Sequence, residues 1–288
     1  MRWCFAVALG ALCAALGGWY WQSGHAAGVV FVRASPLLGP EGDAAFGGLS
    51  GYETDGERRY LLTDRGHLFT LSQEGLTAVA LQGVNGALLS RKMRDAEGLA
   101  ALEGGRIAIS FEGQHRVDIY DALSGRLERR LPRAAGFGGL QGNAGLEALA
   151  VSPEGELVAI AERSGAMTRP FQTFVFDGKN WRMTGLARHG AFLPVGADFG
   201  PDGRLYVLER DYLLSGFRTR IRRFDWVDGT PVGGETLLKT RFWRHGNLEG
   251  IAVFEDSGAL IIEMVSDNNF LPVQAMELVR YRLKKPLK

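Results

Sequence analysis

An internal repeat constrains this chain more than any other feature. Five turns recur in similar settings: ETDGERRYLLTDR, LEGGRIAISFE, SPEGELVAIAER, GPDGRLYVLER and EDSGALIIEMVSD. Their glycines are Gly56, Gly105, Gly155, Gly203 and Gly258, roughly 50 residues apart. An apolar run precedes each turn (GGLSGYE, EGLAALE, EALAVSP, GADFGPD, EGIAVFE), and a third run follows downstream (HLFTLS, HRVDIYD, TFVFD, RIRRFDW, MELVRYRL). Most units add a fourth: LTAVALQGV, LERRLP, WRMTGLA and ETLLKTRF. The runs are short, rich in β-branched and aromatic residues, and bounded by Gly, Asp or Asn, which reads as strands. Four short strands in each repeat predict an all-β fold, a β-propeller of five blades with four antiparallel strands each. Six blades is the alternative if the longest spacing, before Gly258, hides irregular structure.

The strand count also predicts how the ring closes. The fifth unit ends after its third strand, at Leu283, while VVFVRAS (Val29 to Ser35) stands alone ahead of the first unit. Supplied to the last blade as its outer strand, that segment closes the circle and leaves few unpaired edges. Residues 28–288 are thereby expected to form one propeller domain.

Before it, Met1-Arg2 leads into WCFAVALGALCAALGGWYW and then QSGHAAG. A short cationic start, an apolar centre and small residues near Ala26 and Ala27 fit a signal peptide over residues 1–27. An uncleaved N-terminal anchor is the alternative, since Trp3 to Trp21 is long enough to span a bilayer. Export to the periplasm or the medium of a bacterial cell is the expectation. Cys4 and Cys13 both lie in this segment, so the mature chain has no thiol for disulfide or nucleophilic chemistry. A net charge of +1 and the absence of a basic stripe argue against nucleic acid as a partner. A small molecule and a monomer are expected instead.

The repeat gives the acids their meaning. In a propeller the first strand of a blade lies nearest the axis and the second returns beside it. The start of one and the end of the other are then neighbours at one mouth of the channel. Glu147 and Glu162 flank such a pair, and Glu97 and Glu112 have the same separation one unit earlier. Glu249 and Asp267 flank the last pair, and Asp64, Asp198 and Glu209 are expected at related positions. Units one and four carry Gly47 and Val195 where the first-strand Glu is expected. Converging carboxylates raise one another's pKa unless a cation intervenes. One candidate is the arginine after the second-strand acid (Arg65, Arg163, Arg210), pairing between blades because strand neighbours point to opposite faces. The other is a divalent metal, Ca²⁺ above all, bound by Glu97, Glu147, Glu249 and Asp267 with the amides of Asn143 and Asn247.

The stretches DAEGLA (Asp95 to Ala100), NAGLEALAVSPEG (Asn143 to Gly155), AIAER (Ala159 to Arg163), NLEGIAVF (Asn247 to Phe254) and SDNNF (Ser266 to Phe270) run through the chain in order. Together they resemble the phytase-like family of exported bacterial proteins, also called "esterase-like activity of phytase". The resemblance implies a propeller whose repeated Glu and Asp residues serve phosphoester or ester hydrolysis.

Two other motifs lead nowhere. RHGAFLP (Arg188 to Pro194) lacks the second Arg of a histidine phosphatase, with Phe192 in its place. WRHGN repeats the RHG at Arg244 to Gly246, which argues for a connection between blades. GGLSG fails as a nucleophile elbow because Tyr52 stands where the second Gly belongs.

The first functional expectation is metal-assisted hydrolysis, with Glu112, Glu162 or Glu147 as the acid–base group. Arg65, Arg163, Arg210, Asp64, Glu209 and Asn268 would then contact the substrate. The second is a non-catalytic propeller that binds a small ligand or a protein, with Ca²⁺ stiffening the channel. A lactonase-like hydrolase is a third, differing only in substrate.

Overall fold

A computed structural model of the chain describes residues 24, 26–40, 43–142, 145–213, 216–271 and 274–284. The expected signal peptide or anchor, with Cys4 and Cys13, lies almost wholly outside the described residues, as does Asn143. Among the described residues no helix is long and apolar enough to cross a membrane.

Among the described residues twenty strands form five four-stranded sheets, each antiparallel throughout. Blade one is β2 (Leu49–Thr54), β3 (Arg59–Thr63), β4 (His67–Ser72) and β5 (Gly75–Ala80). Blade two is β6 (Ala96–Leu102), β7 (Arg106–Phe111), β8 (Arg116–Asp121) and β9 (Leu127–Arg130). Blade three is β10 (Leu146–Val151), β11 (Leu157–Ala161), β12 (Phe171–Phe176) and β13 (Trp181–Leu186). Blade four is β14 (Leu193–Phe199), β15 (Leu205–Leu213), β16 (Gly216–Val227) and β17 (Thr230–Lys239). Blade five is β18 (Asn247–Asp256), β19 (Ala259–Asp267), β20 (Glu277–Leu283) and β1 (Val29–Pro36). The protein is a five-bladed propeller. The longest spacing does not hide a sixth blade; it is taken up by the long strands of blade four.

The N-terminal strand does close the ring. β1 pairs with β20 from Val29 opposite Leu283 to Pro36 opposite Glu277. The five turn glycines that announced the repeat all have φ between 72° and 93°, the left-handed region where a side chain is strained. At Gly56, Gly155 and Gly258 an added Cβ would meet nothing, so conformation and not space selects glycine there.

The inner strands β2, β6, β10, β14 and β18 pack side by side in a closed circuit around the axis. Five hydrophobic clusters fill the five gaps between neighbouring blades. Tyr60, Leu62 and Leu68 of blade one, for example, pack against Ile107, Ile109 and Phe111 of blade two. Each sheet thus buries its faces against two others, and no blade has a core of its own. The channel between the inner strands is narrow, with room for about one water (about 10 Å³) where Glu147, Val195 and Glu249 line it.

Candidate functional site

Every inner strand carries a β-bulge at the same place. Pairing slips once between Leu49 and Gly51, Ala96 and Leu99, Leu146 and Ala148, Pro194 and Gly196, and Leu248 and Gly250. The bulges carry Ser50, Glu97, Glu147, Val195 and Glu249, and a bulge re-aims the side chain it carries. Ser50, not Gly47, is therefore the blade-one counterpart of the three glutamates, while Val195 holds the position expected of it. Returning strands supply a second set, one residue beyond the partner of the residue that precedes the bulge: Asp64, Glu112, Glu162, Arg210 and Asp267.

This register moves two expected residues out of the ring. Glu209 pairs opposite Pro194, one step short, and a one-residue step in a strand turns a side chain to the other face. It is fully buried there, accepting from Arg220 Nε at 2.5 Å and from Arg222 Nε and Nη2 at 2.9 and 2.6 Å. Asp198 lies three residues past the bulge of β14, deeper in the channel. There it hydrogen-bonds the carboxyl of Glu53 from blade one and accepts the N–H groups of Phe199 and Val253. Blades one and four are not neighbours in the ring.

Blade four contributes no acid to the ring at all; it contributes Arg210. The guanidinium donates to Asn247 Oδ1 at 2.8 Å and to Glu249, and lies 3.6 Å from Glu162. It thus ties blade four to blades three and five, the inter-blade pairing expected of an arginine at this position. Arg163 behaves otherwise: its Nε donates to Glu162, its own neighbour, at 3.1 Å. Arg65 lies 3.3 Å over the ring of Phe270. Asn268 accepts from the N–H groups of Gly48 and Phe270, and so pins the loop after β19 against blade one. Asp267 accepts from Asn269 N–H at 2.8 Å, and Asn247 Nδ2 donates to Glu249 at 2.8 Å.

Among the described residues no hydrogen bond reaches the side chain of Glu97 or Glu147, and Asp64 Oδ1 is buried without a partner. Burial holds Glu97 well above the usual carboxylate range, reinforced by Glu147, Glu249, Asp95 and Glu112. Burial pushes Glu147 up to about 8, with Glu162, Glu112 and Glu249 adding to it and Arg210 opposing. Glu112 rises to about 7 through burial, Asp95 and Glu162. Burial likewise lifts Asp64 and Asp267 to about 6. Glu249 is raised by burial, against the pull of Arg210.

One group has the spacing of a metal site. Asp95, Glu97 and Glu112 each present an oxygen within 4.8 Å of the other two. A Ca²⁺ ion bound at about 2.4 Å to each oxygen accommodates such a spread. Asp95 was in plain view, two residues ahead of Glu97, but only the start of β6 shows that it shares the mouth. The expected ligands Glu249 and Asn247 are instead engaged by Arg210, and Asp267 lies on their side of the ring.

Beside the trio opens a cleft of about 470 Å³ lined by Asp64, Arg65, Arg91, Arg94 and Asp95. Arg91 and Arg94 sit in the β5–β6 connection, where no repeat pattern marks them. Both RHG segments lie in connections between blades. His189 offers only its backbone carbonyl, to Arg220, and His245 is buried against the Tyr281 hydroxyl at 2.8 Å.

A family model described as "Phytase-like: Esterase-like activity of phytase" matches residues 44–270. No curated protein matches the chain. Among solved structures, the glutaminyl cyclase of Myxococcus xanthus superposes with a TM-score of 0.51 at 17% identity, covering 89% of this chain and 97% of that one. A PQQ-bound aldose sugar dehydrogenase from Streptomyces coelicolor gives 0.49 at 12% identity, over 91% and 100%. At such identities the likeness is one of fold.

Proposed function

Because the chain belongs to the phytase-like family, and because its bulged inner strands and the strand ends beside them bring eight carboxylates (Asp64, Asp95, Glu97, Glu112, Glu147, Glu162, Glu249 and Asp267) to one mouth, we propose that it is a metal-assisted hydrolase of phosphoesters or related esters. The single observation that carries this reading is the convergence of Asp95, Glu97 and Glu112 within 4.8 Å, next to a Glu147 that no donor among the described residues satisfies. Asp95, Glu97 and Glu112 would hold the cation, an all-oxygen set suited to Ca²⁺. When bound, such an ion supplies charge to the scissile group and to the attacking water.

The chain's own residues do the rest. Glu147 is the general base, close enough to Glu97 and Glu112 to feel both charges and without a hydrogen bond from the described residues. It takes one proton as the water oxygen bonds to phosphorus or acyl carbon, and the bond to the leaving oxygen breaks, that oxygen taking its proton from solvent water. Glu162 is less suited to that part, since Arg163 and Arg210 both face its carboxylate. Arg210 holds the far side of the ring together and limits the number of negative charges the mouth must bear.

That same guanidinium favours the runner-up, a non-catalytic binding propeller, because it neutralises part of the ring from within. A lactonase-like hydrolase would use the same groups on another substrate. Export of the mature chain is part of the proposal, on the strength of the N-terminal sequence.

The decisive experiment is metal analysis of the purified mature protein, then a phosphoester and ester panel with and without chelator. We expect bound Ca²⁺, turnover abolished by chelation, and a loss of about 10²–10⁴ in kcat for Glu147→Gln with Tm unchanged. Chelator-insensitive turnover, or none on any substrate, would overturn the reading.

A further inference from the structure

The cleft beside the carboxylate trio has a wall of the opposite charge. Arg65 comes from the turn after β3, and Arg91 and Arg94 from the connection that carries the chain from blade one to blade two. Elsewhere in this protein, clustered arginines are neutralised: Arg220 and Arg222 by Glu209, and Arg116 and Arg130 by Asp118. Among the described residues none of the three cleft arginines has an ion pair, and Arg65 is steadied only by the face of Phe270. The two acids in the same lining, Asp64 and Asp95, cannot balance three guanidiniums. A volume of about 470 Å³ is that of a small-molecule site.

From this convergence we propose that the cleft between blades one and two is an anion subsite that takes the phosphate of an organic phosphate. A guanidinium presents a planar fork of donors, and a phosphate dianion has three terminal oxygens to receive forks from several directions. A single carboxylate could satisfy fewer of them. Asp95 lines the cleft and also belongs to the trio, so a phosphate seated here lies beside the carboxylates. The proposal relies on the hydrolase reading only for what that trio does next; the subsite itself stands on the arginines.

The test is titration of the full mature protein with inorganic phosphate by calorimetry, with acetate as the control anion. Arg91 is exposed and Arg94 half-buried, neither in a strand, so the Arg91→Gln/Arg94→Gln variant is expected to keep its fold by circular dichroism. Phosphate should bind the parent chain in preference to acetate and at least tenfold more weakly to the double variant, while Arg126→Gln, an exposed arginine in the turn between β8 and β9, binds as the parent does. Arg65→Gln alone should weaken binding as well and guards against misfolding of the double variant. Phosphate binding that is absent, or unchanged in these arginine variants, overturns the subsite even if turnover is found. Binding lost in the arginine variants of a protein without turnover sustains the subsite and sinks the hydrolase.

Discussion

At the scale of single residues, the most consequential group is the pair Glu53–Asp198. Both carboxyls accept backbone N–H groups, Asp198 from Phe199 and Val253 and Glu53 from Thr54, but their mutual hydrogen bond raises Glu53 and lowers Asp198, so Glu53 is the member that keeps a proton and donates it. Burial first, and then the charge of Asp198, hold Glu53 far above the usual carboxylate range. The direction of the pH effect follows. The native state binds a proton that the unfolded chain releases above about 4.3. The contribution is complete below that value and is lost as pH rises through the folded-state pKa. The raised carboxylates of the mouth act in the same sense. Chemical denaturation should therefore show stability falling from pH 5.5 to pH 8.5. Glu53→Gln, which donates the same hydrogen bond without titrating, should lose less over that interval by more than about 1 kcal/mol. A slope equal to that of the parent would mean that the pair does not share a proton.

At the scale of elements, the bulged inner strands are the working parts. Glycine follows the bulged residue in four of the five (Gly51, Gly98, Gly196, Gly250), because the next blade's inner strand crosses against its Cα. A Cβ on Gly250 would sit 2.5 Å from Tyr52 Cβ and 2.6 Å from Tyr52 N, backbone that cannot move aside. Gly250→Ala should cost about 1–3 kcal/mol in denaturant unfolding, the usual penalty of overpacking. It should also loosen the mouth, since Glu249 is the residue beside it. An unchanged midpoint would show that blades one and five are not in such close contact. In β10 the same position is Ala148, fully buried, so the ring admits a methyl at one interface only.

For the molecule as a whole, closure depends on β1. Without it, β20 would present an open edge, and its faces are already committed to the core shared by blades four and five, in which Val29 takes part. A chain beginning at Leu37 should lose its cooperative thermal transition and self-associate, as judged by calorimetry and light scattering. A monomeric, cooperatively folding truncation would show that the ring holds without its clasp. The ion pairs of Arg210 serve the same end at the mouth, linking three blades through one side chain.

Much of this was legible in the chain itself. Turn glycines at a steady interval, apolar runs of strand length and a stray strand at the start together determine five blades, their order and the manner of closure. They do so because each blade repeats one local solution that depends on near neighbours in sequence. The glutamates at 97, 147 and 249 could be assigned to one mouth on the same ground. What the linear pattern could not convey was register. A single extra residue in each inner strand decides which side chain faces the axis, and bulges leave little mark on a period of two. Hence only the folded chain placed Ser50 in the ring, turned Glu209 into the core and brought Arg91 and Arg94 beside the acids. Those are contacts between blades, and they are settled by how whole sheets pack around an axis.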